Sequence, residues 1–172
     1  EDIDLVVVGT CPEGHIRRYV HDRAGNLAGY TDPRGHTTRY NFDANGNLTQ
    51  VTDALGHTRT YAYDKAGTLT RYTDARGKAV QMAYDAMNRR TRTTNPVGGV
   101  HTLRYNAQGL PISETDEDGR KSEAEFDNFL RLTQQIDALG HKIEYGYTIP
   151  DGTDAGTLGA LYDPVEIRYP TL

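Results

Sequence analysis

The sequence has no tryptophan and a single cysteine, Cys11. One thiol excludes an internal disulfide and leaves the redox compartment unread. No apolar run is longer than Leu5-Val6-Val7-Val8, far short of the ~18 residues of a membrane-spanning helix and of a signal-peptide core. The chain opens on Glu1 rather than methionine, which reads as a piece of a longer product. There is no basic run to follow a phosphate backbone, and the net charge of −5 is spread over both signs. Nucleic acid is therefore not expected as a partner. Leu, Ile, Val and Phe make up only 32 of 172 residues, just under the roughly 20% below which disorder is expected.

Two features that are present argue against disorder. Twelve tyrosines supply apolar area that also tolerates water. The sequence also has a strict period, which solvated low-complexity tails lack. Asp22, Asp43, Asp64, Asp85 and Asp127 lie on a 21-residue comb, with Asn106 in the remaining slot. Before them stand His21, Phe42, Tyr63, Tyr84, Tyr105 and Phe126. Two residues earlier the row is Tyr19, Tyr40, Tyr61, Met82, Leu103 and Ala124, continued by Tyr145. A second set, Asp32, Asp53, Asp74, Asn95, Asp116 and Asp137, is followed three residues on by Gly35, Gly56, Gly77, Gly98, Gly119 and Gly140. No insertion breaks the register from Tyr19 to Tyr145.

Each unit reads approximately Y-x-[YF]-D-x-x-G-x-L-x-x-x-T-D-x-x-G-x-x-x-x. This is turn chemistry. Asp opens a β-turn by accepting from the backbone ahead of it, and Gly three residues later takes the positive φ that closes it. A type I turn followed by a left-handed glycine and a bulge is a common hairpin connection. Asn88 and Leu130 replace the first-turn glycine in two units. Asn tolerates the left-handed region, whereas Leu130 does not fit, so its turn is expected to differ. The residues that define the repeat are Tyr40, Phe42, Asp43, Gly46, Leu48, Asp53 and Gly56, then Tyr61, Tyr63, Asp64, Gly67, Leu69, Asp74 and Gly77.

Between turns, alternation sets the faces. Tyr40 and Phe42 point one way, and Thr37, Arg39 and Asn41 the other. Leu27, Leu48, Leu69 and Leu132 on the opposing strands are expected to pack beside the aromatics. The fold class is therefore all-β, an antiparallel meander of 21-residue, two-strand hairpin repeats. About twelve strands at ~4.8 Å would span nearly 60 Å, a width at which open sheets curl. A strongly curved sheet with unprotected edges is expected.

The repeats resemble the Rhs (rearrangement hot spot), or YD-repeat, family. The segments that carry the match are Tyr40 to Leu48 and Tyr61 to Leu69. The Asp-x-x-Gly-His elements add to it: Thr31 to His36, Thr52 to His57, and Asp137 to His141. The resemblance covers residues 15–147. It implies a β-strip that spirals into a hollow cocoon, of which this chain would be a section of wall. In bacterial members such a shell encloses a C-terminal toxin domain, in effectors of type VI secretion or in insecticidal toxin complexes. In animal teneurins it is part of an adhesion receptor. The implied partners are the remainder of the shell, an enclosed toxin domain and a secretion-apparatus or chaperone protein. The implied location is an exported or secreted bacterial protein, cytoplasmic before delivery. The family's self-cleaving Asp-Pro-x-Gly-Leu motif is not carried over. Asp32-Pro33-Arg34-Gly35 is followed by His36 and occupies an ordinary turn slot, and Asp163-Pro164-Val165-Glu166 lacks the glycine.

His36, His57 and His141 share a repeat slot with Lys78, Gly99 and Arg120. Copies two strands apart, ~10 Å, cannot share one zinc, so a turn-flanking role is expected. Asp43-Ala44-Asn45-Gly46 is similar to the start of a calcium loop but lacks the rest of the ligand string. Glu114, Asp116 and Asp118 could pair as glycosidase carboxylates, but a solvated cluster is the default. No serine elbow, P-loop or dinucleotide fingerprint is present. No catalytic, metal or cofactor residue is assigned, and the chain is not expected to be an enzyme.

The organisation expected is a non-repeat N-terminal strand within 1–14, with Ile3 to Val8 ending at Gly9, and about six repeats over 15–147. A Gly/Asp/Pro-rich excursion over 148–164 and a resumed strand over 165–172 follow. The leading function is a wall segment that contains and helps deliver a toxin domain. The alternative is a cell-surface adhesion or carbohydrate-binding module, whose aromatic faces hold ligands such as choline. Such modules lean on the tryptophan this chain lacks.

Overall fold

The computed structural model describes residues 5–10, 16–147 and 166–168. These residues form fifteen strands and no helix, within two compact units.

The first unit holds β1 (Leu5–Thr10), β2 (Ile16–His21), β3 (Leu27–Thr31), β4 (Thr37–Phe42), β5 (Leu48–Thr52), β6 (Thr58–Tyr63), β7 (Leu69–Thr73) and β8 (Ala79–Tyr84). Each strand pairs antiparallel with the next in sequence. The second unit holds β9 (Arg90–Thr94), β10 (Val100–Tyr105), β11 (Pro111–Thr115), β12 (Lys121–Phe126), β13 (Leu132–Ile136), β14 (Lys142–Gly146) and β15 (Glu166–Arg168). It follows the same rule. The all-β antiparallel meander expected from the sequence is the fold.

The 21-residue period now has a physical decomposition. A six-residue strand and a five-residue strand alternate, each followed by a five-residue turn. A register shift falls once per described hairpin, between Val20 and His21, Asn41 and Phe42, Ala62 and Tyr63, Arg104 and Tyr105, and Glu125 and Phe126. These β-bulges absorb the odd residue of the shorter strand, and they increase the local twist. They also set the leucines opposite the aromatic row: Leu48 faces Phe42, Leu69 faces Tyr63, and Leu132 faces Phe126.

Because cross-strand partners share a face, the register sorts the side chains. Tyr19 pairs with Tyr30, Tyr40 with Val51, and Tyr61 with Tyr72 on the aromatic face of the first unit. Thr31 pairs with Thr37, and Thr52 with both Arg39 and Thr58, on the polar face. Among the described residues no apolar side chain is fully buried. The tyrosines are half-buried instead, so stability is distributed along the sheet rather than concentrated in a core.

Three expectations are corrected or bounded. The turn at Leu130 does not differ from the others. Leu130 adopts φ 65° and donates its N–H to the Asp127 carbonyl at 3.0 Å. The two flanking strand ladders and the Asp127 bonds hold it there against the usual preference of a leucine. The N-terminal strand runs through Gly9 to Thr10 rather than stopping at Gly9. The 148–164 excursion lies outside the described residues, and of the expected 165–172 strand only Glu166–Arg168 is described.

Candidate functional site

The recurring Asp is a turn clamp. In the turn at Asp43, the Asp43 N–H donates to the Asn47 carbonyl at 2.9 Å and the Gly46 N–H donates to the Asp43 carbonyl at 3.1 Å. Asp43 Oδ1 accepts the backbone N–H of Asn45 and of Asn47, both at 2.9 Å. The same bonds recur at Asp22, Asp32, Asp53, Asp64, Asp74, Asp116, Asp127 and Asp137. One carboxylate thus satisfies donors that the strand ladders cannot reach. Gly46 at φ 82° and Gly67 at φ 82° supply the left-handed residue.

The second oxygen of the clamp explains the histidine slot. His36 Nδ1 lies 3.1 Å from Asp32 Oδ2, His57 Nδ1 3.0 Å from Asp53 Oδ2, and His141 Nδ1 2.8 Å from Asp137 Oδ2. In the alternate turns Asn26 and Asn47 donate Nδ2 to Asp22 and Asp43 at 3.0 Å, and Arg131 donates Nε to Asp127 at 2.7 Å. In these six turns the residue four after Asp supplies a side-chain partner for its second oxygen.

These bonds hold the carboxylates below the usual range. At Asp22, Asp43 and Asp137 the largest influence is the side-chain donor, Asn26, Asn47 or His141; at Asp32 it is the His36 backbone N–H. At Asp53 and Asp127 desolvation is the largest single influence and opposes ionisation. The combined bonds from His57 and Leu55, and from Arg131 and Phe129, outweigh it.

A second set of contacts fastens four of the hairpins to the one before. The Tyr63 hydroxyl donates to the Leu48 carbonyl at 2.9 Å, Tyr84 to Leu69 at 3.0 Å, Tyr105 to Arg90 at 3.0 Å, and Tyr147 to Leu132 at 2.8 Å. The acceptor is always fifteen residues back. Burial pushes the Tyr63 and Tyr147 phenols above their ordinary range. Arg131 stacks over the Tyr147 ring at 4.4 Å, and Arg89 over Tyr105 at 4.7 Å, while Arg89 Nη1 also donates to the Asn106 carbonyl at 3.1 Å. In the Tyr63 row, His21 buries its Nδ1 without a partner.

The carboxylates weighed for glycoside chemistry do not converge. Glu114 Oε1 pairs with His101 Nε2 at 2.7 Å. Asp116 accepts the Asp118 and Arg120 N–H groups, and Asp118 pairs with Arg120 at 3.0 Å. Among the described residues no three His, Cys, Asp or Glu side chains gather as metal ligands. Sequence reasoning missed the tyrosine latches, the arginine stacks and the His101–Glu114 pair. The latches had a visible signal, a hydroxyl-bearing row offset by a constant fifteen residues from a strand start.

The family described as RHS Repeat matches the chain at residues 21–58, 42–78 and 63–100, each match displaced by one period. Over residues 21–100 the chain carries RHS repeats. Among solved structures, this RHS-repeat chain is similar to the crystal structure of TcdB2–TccC3 without its hypervariable C-terminal region. The identity is 16% and the TM-score 0.54, over 77% of this chain and 8% of that one. A second similar structure is the Photorhabdus luminescens Tc holotoxin pore, at 12% identity and TM-score 0.44, over 94% of this chain and 12% of that one. At such identity the likeness is one of fold, and the chain spans only 8% of the first of those proteins. No curated protein sequence matches it. No helix among the described residues is long and apolar enough to cross a membrane.

Proposed function

We propose that the chain is a section of the wall of an Rhs-type shell, whose work is to contain a C-terminal toxin domain and help deliver it. The observation that carries this reading is the latch. The repeats spend their regularly spaced residues on holding their own turns and, in four of them, on gripping the preceding hairpin, as Tyr63 grips Leu48. A unit built this way extends a sheet, and among the described residues the carboxylates weighed above do not converge. The RHS repeats matched over residues 21–100 and the fold shared with TcdB2–TccC3 support the same reading. The mechanism is steric: a hydrogen-bonded sheet separates what lies on one side from the other. The partners are then further repeats, the enclosed domain and a chaperone or secretion component, in an exported protein.

The test is protease protection in the full reading frame that contains this chain. The domain following the repeats should resist digestion while the repeats are intact. It should become sensitive when Tyr63, Tyr84, Tyr105 and Tyr147 are all replaced by alanine. Equal sensitivity in both proteins would overturn containment.

A further inference from the structure

We propose that the polar face of the first unit is a docking surface for an acidic polypeptide segment. The strands of that unit, β2 to β8, carry five charged residues, and all are arginine: Arg17, Arg18, Arg39, Arg59 and Arg71. No carboxylate stands in any of these strands. The acids of this stretch, Asp22, Asp32, Asp43, Asp53, Asp64, Asp74 and Asp85, are all in turns. The strands of the second unit differ, because there Lys121 pairs with Glu123 and Lys142 with Glu144.

Register places three of the arginines on one face. Arg18 pairs with Thr31, which pairs with Thr37, two residues from Arg39. Asn41, two further on, pairs with Gln50; Gln50 pairs with Thr60, and Thr60 with Thr73, two residues from Arg71. Partners across strands and alternate residues along them share a face, so Arg18, Arg39 and Arg71 project together. All three are exposed, and none makes an ion pair among the described residues. They span five strand spacings, about 24 Å. An extended segment of roughly eight residues has that length. Between them lie the side-chain amides Asn41 and Gln50, and Gln81 stands across from Arg71 on the next strand, all able to bond a peptide backbone. A shallow, open concavity of about 480 Å³ lies beside Arg39, between the turns at Gly35 and Asp53.

Unpaired guanidinium groups, spaced along a polar face, match carboxylates. Single-stranded nucleic acid would look for stacking rings as well, and every tyrosine of these strands is on the opposite face. A docking face of this kind acts whether or not the sheet encloses a cargo.

The experiment uses the chain and a fluorescent ten-glutamate peptide, read by anisotropy at low ionic strength. The triple variant Arg18→Gln, Arg39→Gln, Arg71→Gln should bind about tenfold more weakly, as expected for three exposed ion pairs. Arg17→Gln with Arg59→Gln, on the aromatic face, should stay within about twofold. In the unaltered chain the peptide should protect Arg18, Arg39 and Arg71, but not Arg17 or Arg59, from phenylglyoxal, a readout independent of how the variants fold. Undiminished binding by a folded triple variant, or protection of Arg17 and Arg59 instead, would overturn the proposal. So would an oligothymidylate that binds the unaltered chain at least as tightly as the peptide.

Discussion

The Tyr63 hydroxyl donates to the Leu48 carbonyl oxygen at 2.9 Å, from β6 to the start of β5. The ladder between these two strands ends at Gln50 and Thr60, so the Leu48 carbonyl lies beyond its reach. The phenol supplies the missing donor. Four of the repeats use this device. His21, Phe42 and Phe126 hold the same slot with no hydroxyl to offer.

Removing one latch should therefore be felt as the loss of a single hydrogen bond. Tyr63→Phe is expected to lower stability by about 1 kcal/mol in urea unfolding. The reverse change, Phe42→Tyr, places a hydroxyl fifteen residues from Leu27 and should raise stability by about 0.5–1 kcal/mol. A gain from Tyr63→Phe would show that the contact is incidental.

Leu130 sits at φ 65° in a slot where the other first turns have glycine or asparagine. For a leucine the left-handed conformation costs about 1–2 kcal/mol, and glycine returns part of that as unfolded-state entropy. Leu130→Gly should stabilise the chain by about 0.5–1 kcal/mol. Its counterpart Gly67→Leu should destabilise it by a similar amount, both measured as urea midpoints at unchanged slope.

Six turn aspartates, Asp22, Asp32, Asp43, Asp53, Asp127 and Asp137, are held below the ordinary carboxylate range. A depressed folded value means the unfolded chain takes up protons first as pH falls. The stabilisation is therefore complete above the unfolded value of about 3.9 and is lost as pH drops through the lower folded values. Thermal melting should be nearly constant between about pH 7 and pH 5 and fall steeply below about pH 4. A melting temperature that held steady to about pH 2 would mean that the clamps contribute nothing.

The strands, turns and period were legible because each rests on local chemistry: alternation for Tyr40 and Phe42, Asp with a left-handed residue for the turns. Leu130 was misread for the same reason. Local preference disfavours its conformation, and only the pairing of β12 with β13 imposes it. The latch hydroxyls stand in a visible row, but their acceptors and the charge segregation were not legible as motifs. They depend on which residues lie across from one another, and the bulges decide that. Arg18, Arg39 and Arg71 look scattered in the sequence because register, not proximity along the chain, brings them to one face.

Strand β1 is an edge strand of the first unit. It pairs with β2 and with no other described strand. Its side chains are also unlike those of the repeats, since Leu5, Val6, Val7 and Val8 are 65%, 53%, 46% and 55% exposed. Alternation sends Val6 and Val8 to the polar face and Leu5 and Val7 to the aromatic face, so the strand offers apolar surface on both sides as well as an unpaired backbone edge. Natural sheets protect such edges with charge or proline, and β1 has neither. The isolated chain should therefore self-associate, with an average mass in light scattering that rises with concentration. Val7→Lys, placing one charge in the middle of the strand, should shift the chain towards monomer while leaving its far-UV circular dichroism unchanged. Because β1 packs only on β2, a substitution there leaves the latches of the later repeats intact. A chain that is strictly monomeric before the substitution would mean that the edge is already covered, and would count against an open-edged wall.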